Sequence, residues 1–366
     1  MTSDGNPASP SSDSPQRTTS DQQTRVGGEA PGATSQDPAT AALPVEAKAG
    51  EPVISGAVVK VAIVGEIPFA GSRVVWALLH RGLAARVLCP DEKAEQTALD
   101  AAAAHPGAPG GVEVVRGDLG SPAALAQVLE GAGGACFVSP ITLAGRMYRP
   151  ASHPQDVTRF VEAALAAGVQ KLVYHSALGA HAKAVSRTLR EAAMAEDTVK
   201  TAKCKTYVAR TAPLMGPGDR FLTEIVGTAL KPMPFACVLG YGSTAVQPLH
   251  VYDMARCFAR FYDDRPEALQ PGRYSLAGPE TTTLLDLLDA VSARVGHGKL
   301  KFHAPLFVLE LLGALRKGSE SAERVNLLFD TFQAEHNDAV RLLGEGGTLA
   351  TIEQAQRDIL SATAGA

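Results

Sequence analysis

The chain has little of what marks metal-binding, nucleic-acid-binding or membrane-spanning proteins. Its five cysteines form no CxxC pair and its nine histidines no HxxxH pair, so we predict reduced thiols and no metal site. A net charge of −4 provides no basic surface for nucleic acid. No apolar run reaches the roughly 18 residues that a membrane span needs. These absences favour a cytoplasmic protein without a transmembrane segment.

Aromatic residues are absent from residues 1–55, which are rich in serine, threonine, proline, alanine and glycine. Such a segment cannot bury enough apolar surface to offset the entropy cost of ordering it. It also lacks the apolar stretch of a secretory signal. We therefore expect a disordered tail over residues 1–55, a first domain over residues 56–220 and a C-terminal lobe over residues 221–366.

Residues 58–82 contain the pattern around which the rest of the chain is organised. The nearly continuous apolar run over residues 58–64 is typical of a parallel strand that is covered on both faces. Gly65 follows it, and a helical repeat of apolar residues then ends at Gly82. A strand, a glycine-marked turn and a helix form the first half of a nucleotide-binding βαβ unit. The sequence therefore predicts an α/β fold, a Rossmann-like doubly wound parallel sheet with a smaller, mainly helical C-terminal lobe.

The turn after this strand, residues 65–71, reads GEIPFAG and resembles the GxxGxxG loop of the extended and atypical short-chain dehydrogenase/reductases. The resemblance implies a dinucleotide, NAD or NADP, with its pyrophosphate at this loop. Pro68 replaces the middle glycine and removes an N–H group, although proline is also suited to start a helix. Glu66 adds a negative charge beside the expected pyrophosphate. The candidate cofactor-binding residues of this loop are Gly65, Ile67, Pro68, Phe69 and Gly71.

Further cofactor-binding candidates follow the later strands of the predicted sheet. Asp91 comes after the second strand, where the resembled family has an acid for the ribose of NAD or an arginine for the 2′-phosphate of NADP. Asp91 is equally suited to cap the next helix. The family places the aspartate of a Gly-Asp-Leu segment, here Asp118, beside the adenine. The remaining candidates are Leu119, Ser139, Pro140 and Pro213.

Residues 163–180, AALAAGVQKLVYHSALGA, resemble a stretch of the NmrA-like atypical reductases and of the nucleotide-binding accessory subunit of respiratory complex I. Three later segments resemble that subunit group: GPGDRF (residues 216–221), QPLHVYDMA (residues 247–255) and GRYSLAGPE (residues 272–280). The resemblance covers roughly residues 58–360 and implies a C-terminal lobe that contacts a substrate or a protein partner. Asp253 is expected to cap a helix over residues 254–262.

The catalytic tyrosine and lysine of short-chain dehydrogenases, spaced YxxxK, are missing. No tyrosine lies between Tyr174 and Tyr207, and none of the seven tyrosines has a lysine four residues later. The candidate catalytic residues are Ser176, which matches the family's serine, and His175, which can donate a proton or simply be hydrogen-bonded at the strand end.

The helix expected over residues 182–191 offers Ser186 and Arg190 near the tyrosine and lysine positions. Serine is no acid near neutral pH, and arginine does not replace a lysine in this role. Three functions agree with this pattern. The first is an NAD(P)-binding pseudoenzyme, acting as a redox sensor or an accessory component. The second is an active reductase or epimerase with a non-standard acid. The third is a cofactor-free scaffold, suggested by Glu66, by Pro68 and by Cys89 at the end of the second strand.

Overall fold

The computed structural model describes ten segments of the chain: residues 60–104, 111–139, 153–219, 235–239, 242–263, 269–295, 300–304, 327, 332–344 and 347–364. The predicted tail and Pro140 lie outside them.

Thirteen strands are present in the described residues. In chain order they are β1 (Lys60–Gly65), β2 (Ala84–Cys89), β3 (Val112–Arg116), β4 (Gly134–Val138), β5 (Lys171–Ala177), β6 (Lys205–Thr211), β7 (Leu214–Met215), β8 (Phe235–Leu239), β9 (Ala245–Val246), β10 (Leu249–His250), β11 (Gly272–Leu276), β12 (Thr282–Thr283) and β13 (Leu300–Ala304).

Nine α-helices accompany these strands in the described residues. They are α1 (Ser72–His80), α2 (Glu92–Ala103), α3 (Pro122–Leu129), α4 (His153–Ala166), α5 (Arg187–Lys200), α6 (Val251–Arg260), α7 (Leu284–Val295), α8 (Ala339–Leu343) and α9 (Ile352–Ala364). A π-helical turn, Ile67–Gly71, lies between β1 and α1.

Seven parallel strands form the central sheet, in the order β11–β6–β5–β4–β1–β2–β3. Successive residues of β1 point to opposite faces, as the pleat of a strand requires. Val61 and Ile63 pack in the hydrophobic core with α1, α2 and α6, whereas Ala62 and Val64 pack in a second core with α3, α4 and α5. The predicted Rossmann-like, doubly wound fold is confirmed.

The later part of the chain contributes to this sheet as well. β11 pairs with β6 at the sheet edge, and α6 packs against α1, although both follow residue 220. The other strands after residue 211 form three separate two-stranded pairs, β10–β7, β12–β9 and β13–β8. A third core joins α7 and α9 through Leu287, Val291, Ala355 and Ile359. The sequence boundary at residue 220 therefore does not coincide with the edge of the sheet.

Asp253 does not cap a helix, so this prediction is wrong. α6 begins two residues earlier, at Val251, with His250 as its N-cap. The buried Asp253 carboxylate instead accepts a hydrogen bond from the Ala350 N–H at 2.7 Å and pairs with Arg256 at 3.3 Å. Burial raises the pKa of Asp253 above its usual range.

Two predicted absences can be compared with the described residues. None of their helices is long and apolar enough to cross a membrane. Within the same segments, no three histidine, cysteine, aspartate or glutamate side chains are grouped so as to hold a metal ion. Cys89, Cys136 and Cys204 are free thiols.

We predict that Phe137→Ala lowers the free energy of unfolding by about 3–5 kcal/mol, because truncation of a large buried ring leaves a cavity. Phe137 is fully buried, with its ring centroid 5.4 Å from that of Phe160 and 5.6 Å from that of His153. Urea denaturation measures the change. The matched control is Leu165→Ala on the exposed side of α4, and an equal loss in both variants would contradict this packing.

Candidate functional site

The loop between β1 and α1 requires glycine at both of its ends. Gly65 has a φ of +104°, a conformation that residues with a side chain rarely adopt, and a Cβ there would lie 2.2 Å from the Val138 carbonyl oxygen. A Cβ on Gly71 would lie 2.5 Å from the Glu66 carbonyl oxygen. Both glycines therefore allow a close approach between backbone segments.

Pro68 lies in the first turn of the π-helical segment. Proline is tolerated there because an N–H group at the start of a helix has no intrahelical partner. The substitution is therefore compatible with the local fold, and its effect is to leave the loop with fewer backbone donors for a ligand.

The Glu66 side chain folds back over its own loop. One carboxylate oxygen accepts the Phe69 N–H at 2.9 Å, and the other accepts the Ala70 N–H at 2.7 Å. The Glu66 N–H in turn donates to the Val138 carbonyl at 2.8 Å, which fixes the loop to the end of β4. The carboxylate is thus the N-cap of the turn, and it places a negative charge at the helix N-terminus.

The predicted adenosine-binding residues follow β2 and β3. The Asp91 carboxylate caps α2 by accepting the Ala94 N–H at 2.8 Å, and the Asp118 carboxylate accepts the Gly120 N–H at 2.7 Å. Both aspartates are exposed, whereas Leu119 is buried in the second core. Burial also raises the pKa of the Cys89 thiol to about 12, so this thiol stays protonated.

The remaining cofactor candidates lie at the same edge of the sheet. Ser139 directly follows β4 and is buried. Pro213 is buried between β6 and β7, where its carbonyl accepts the Leu249 N–H at 3.0 Å. The carboxyl ends of β1, β2, β3, β4 and β6 therefore bring the described cofactor candidates to one edge, which is where open α/β sheets bind ligands.

The two catalytic candidates lie inside the sheet, because β5 continues to Ala177. His175 is fully buried, its Nε2 is 2.8 Å from the Thr211 hydroxyl, and burial lowers its pKa to about 3. The Ser176 hydroxyl points to the other face and donates to the Glu196 carboxylate at 2.6 Å. The structure brings neither side chain into contact with the glycine loop.

The buried Glu196 is the centre of a charge cluster that the sequence reasoning missed. Arg210 donates to both of its carboxylate oxygens, at 2.7 and 2.9 Å, and Arg273 pairs with it at 3.0 Å. These residues come from α5, β6 and β11 and join three elements of one face. No local signal marks the cluster, because its members are far apart in the sequence.

The helix expected over residues 182–191 begins later in the structure, at Arg187, and is α5. Ser186 is its N-cap and accepts the Leu189 N–H at 3.3 Å. Arg190 donates to the carbonyls of Ala184 and Val185, both at 2.6 Å. The two residues considered as replacements therefore stabilise the start of α5.

Arg73, a second residue that the sequence reasoning missed, lies at the start of α1 beside the glycine loop. Its buried guanidinium donates to the Ser72 hydroxyl at 2.8 Å and to the Pro217 carbonyl at 3.2 Å, and it lies 5.6 Å from the Tyr252 ring centroid. A single arginine among the apolar residues of α1 was the available signal. Arg73 links α1 to the GPGDRF segment.

The sheet and the glycine loop at its carboxyl edge define a Rossmann-like α/β fold. A model of the NmrA-like family matches residues 59–216. The resemblance found in the sequence is thereby confirmed.

Curated relatives match part of the chain. The mitochondrial NADH dehydrogenase (ubiquinone) 1 alpha subcomplex subunit 9 of Mus musculus is 26% identical over 154 residues, which is 42% of this chain and 40% of that protein. Ceramide reductase of Caulobacter vibrioides is 31% identical over 202 residues, which is 55% of this chain and 60% of that protein. The chain thus spans 40% to 60% of the length of these relatives.

Among solved structures, the NADPH-dependent quinone oxidoreductase QOR2 of Escherichia coli, complexed with NADPH, has a similar fold. The TM-score is 0.61 at 18% identity, over 81% of this chain and 98% of that one. At this identity the likeness supports the fold alone.

We predict that Glu196→Ala lowers the free energy of unfolding by about 3 kcal/mol, because it leaves Arg210 without its buried counter-charge. The change is measured by chemical denaturation. Asp197→Ala is the matched control, since Asp197 is 78% exposed and its ion pair, at 2.9 Å, is with Lys200 of the same helix. If both variants lost the same stability, the cluster would not be the cause.

Proposed function

We propose that the chain is a dinucleotide-binding, NmrA-like protein without standard short-chain dehydrogenase turnover, and that it acts as a redox sensor or an accessory component. The observation that carries the proposal is the glycine loop. Its Phe69 and Ala70 N–H groups donate hydrogen bonds to an anion at the N-terminus of α1. In the structure this anion is the Glu66 carboxylate.

The residue types at the sheet edge are suited to bind a dinucleotide. The loop of residues 65–71 would hold the pyrophosphate, Asp91 the adenosine ribose, and Asp118 and Leu119 the adenine. Ser139, Pro140 and Pro213 would line the nicotinamide side. A bound nicotinamide would supply or accept a hydride, while the chain's residues bind and orient it.

Proton transfer is the part of the standard chemistry for which this chain lacks a group. A tyrosine acid is absent from α5, and the Ser176 hydroxyl is bonded to Glu196. His175 stays neutral near pH 7 because burial lowers its pKa to about 3, and it packs against Phe258 inside the core. These contacts support the proposal of binding without standard turnover.

The accessory role is supported by the similarity to a subunit of mitochondrial NADH dehydrogenase. A protein partner at the C-terminal lobe is part of this proposal, as is a cytoplasmic location.

An active reductase is the second candidate, because ceramide reductase of Caulobacter vibrioides matches more of the chain than the complex I subunit does. This candidate requires a proton donor other than tyrosine. NADPH-dependent turnover of a ceramide substrate by the purified chain would support it.

Equilibrium titration of the purified chain with NADH and NADPH tests the proposal, beside assays of hydride transfer to a quinone and a sugar nucleotide. We expect saturable binding and no turnover above the rate of a heat-denatured control. Turnover would favour the reductase. Binding by a Pro68→Gly variant alone would mean that Pro68 closes the site and would favour the cofactor-free scaffold.

We predict tighter binding of NADH than of NADPH, because Asp91, Glu92 and Glu95 place acidic groups where a 2′-phosphate would lie. Two cations are near, but Arg116 is paired with Glu95 at 2.6 Å, and Lys93 is a single charge. Asp91→Asn removes a charge while keeping a good N-cap, so it should raise NADPH affinity relative to NADH. An unchanged affinity ratio would show that Asp91 does not face the ribose.

A further inference from the structure

We propose that Glu66 is an internal competitor for the dinucleotide: its carboxylate occupies the loop donors that a pyrophosphate needs and must leave them before the cofactor binds. The inference rests on the proposed function. It concerns a contact that the GxxGxxG pattern does not contain.

The loop's donors are almost completely used within the chain. Phe69 and Ala70 donate to the Glu66 carboxylate, Gly71 donates to the Glu66 carbonyl at 3.0 Å, and the Glu66 N–H is bonded to β4. The Ser72 N–H donates to the Ile67 carbonyl, as the ending of the π-helical turn requires.

Pro68 makes the competition direct. A glycine at this position would contribute one more N–H group to an incoming phosphate, whereas proline has none. The Phe69 and Ala70 N–H groups are two donors that the loop offers to an anion, and Glu66 uses both. A phosphate cannot accept these hydrogens while the carboxylate does.

The negative charge of Glu66 also opposes binding of the pyrophosphate. The positive end of the α1 dipole stabilises one anion close to the first turn. A pyrophosphate brings two further negative charges to a place where the carboxylate already lies, and like charges at short distance repel. Because Glu66 is held within the same turn, its carboxylate binds these donors at little entropy cost and competes at high effective concentration.

The expected consequence is a reduced apparent affinity. A protein whose binding-competent form is only partly populated binds its ligand more weakly by that fraction. The chain would then respond to dinucleotide only when its concentration is high, which suits a sensor better than an enzyme that holds its cofactor permanently.

The test is calorimetric titration of the full chain with NADH, using the natural protein and the variants Glu66→Ala and Glu66→Gln. We expect Glu66→Ala to bind at least about tenfold more tightly, because it removes a charge and releases two donors. Glu66→Gln keeps one acceptor oxygen and should give a smaller gain. Glu162→Ala, an exposed acid on α4, is the matched control and should change affinity less than about twofold.

A second readout does not depend on affinity. In amide NMR spectra, the Phe69 and Ala70 signals should shift on Glu66→Ala without ligand and should then respond to NADH. Circular dichroism and thermal unfolding verify that each variant is folded. If removal of the cap unfolds Glu66→Ala, Glu66→Gln still tests the inference, because it removes the charge while retaining an acceptor.

The outcomes separate this inference from the proposed function. Equal affinity of the natural chain and both variants would overturn the role of Glu66 and leave dinucleotide binding intact. Tighter binding by the variants, or binding by the variants alone, supports it. Absence of NADH and NADPH binding in all three proteins would overturn the proposed function and this inference together.

Discussion

The backbone N–H groups at the start of α1 are the constraint around which this site is built. A helix start leaves such donors without intrahelical partners, and the chain must bond them to something. Here Glu66 bonds two of them, while Gly65 and Gly71 let the backbone segments approach closely enough to hold the loop in place. The same donors that make a Rossmann-like loop a phosphate site are thus satisfied before any ligand arrives.

The sheet could be predicted because each buried strand is marked by apolar residues that are adjacent in the sequence. β1 lies in the apolar run that predicts a strand, and its residues alternate between two cores as a strand covered on both faces must. The end of β5 could not be predicted, since Ala177 belongs to the strand only through its register with Thr211 of β6. That register moved Ser176 from an expected strand end to the interior.

The hydrogen-bond and ion-pair partners of the side chains could not be predicted either, because they come from distant parts of the sequence. Glu196, Arg210 and Arg273 meet only because α5, β6 and β11 lie side by side. Asp253 has the residue type of a helix cap, but a long-range bond to the Ala350 N–H takes its carboxylate instead. Residue type predicts which bonds a side chain can make, and tertiary packing selects the one that it makes.

The contacts around β5 show how the polar groups next to the candidate site are used. General acid catalysis needs a group that loses and regains a proton near neutral pH at the reacting atoms. The Ser176 hydroxyl donates a hydrogen bond to the Glu196 carboxylate, whose charge is already balanced by two arginines. Burial disfavours the charged form of His175 and lowers its pKa, so the imidazole stays neutral. Ser176, His175 and Glu196 therefore stabilise the sheet. The edge of the sheet presents backbone N–H donors and carboxylates, which are better suited to bind a ligand than to transfer a proton to it.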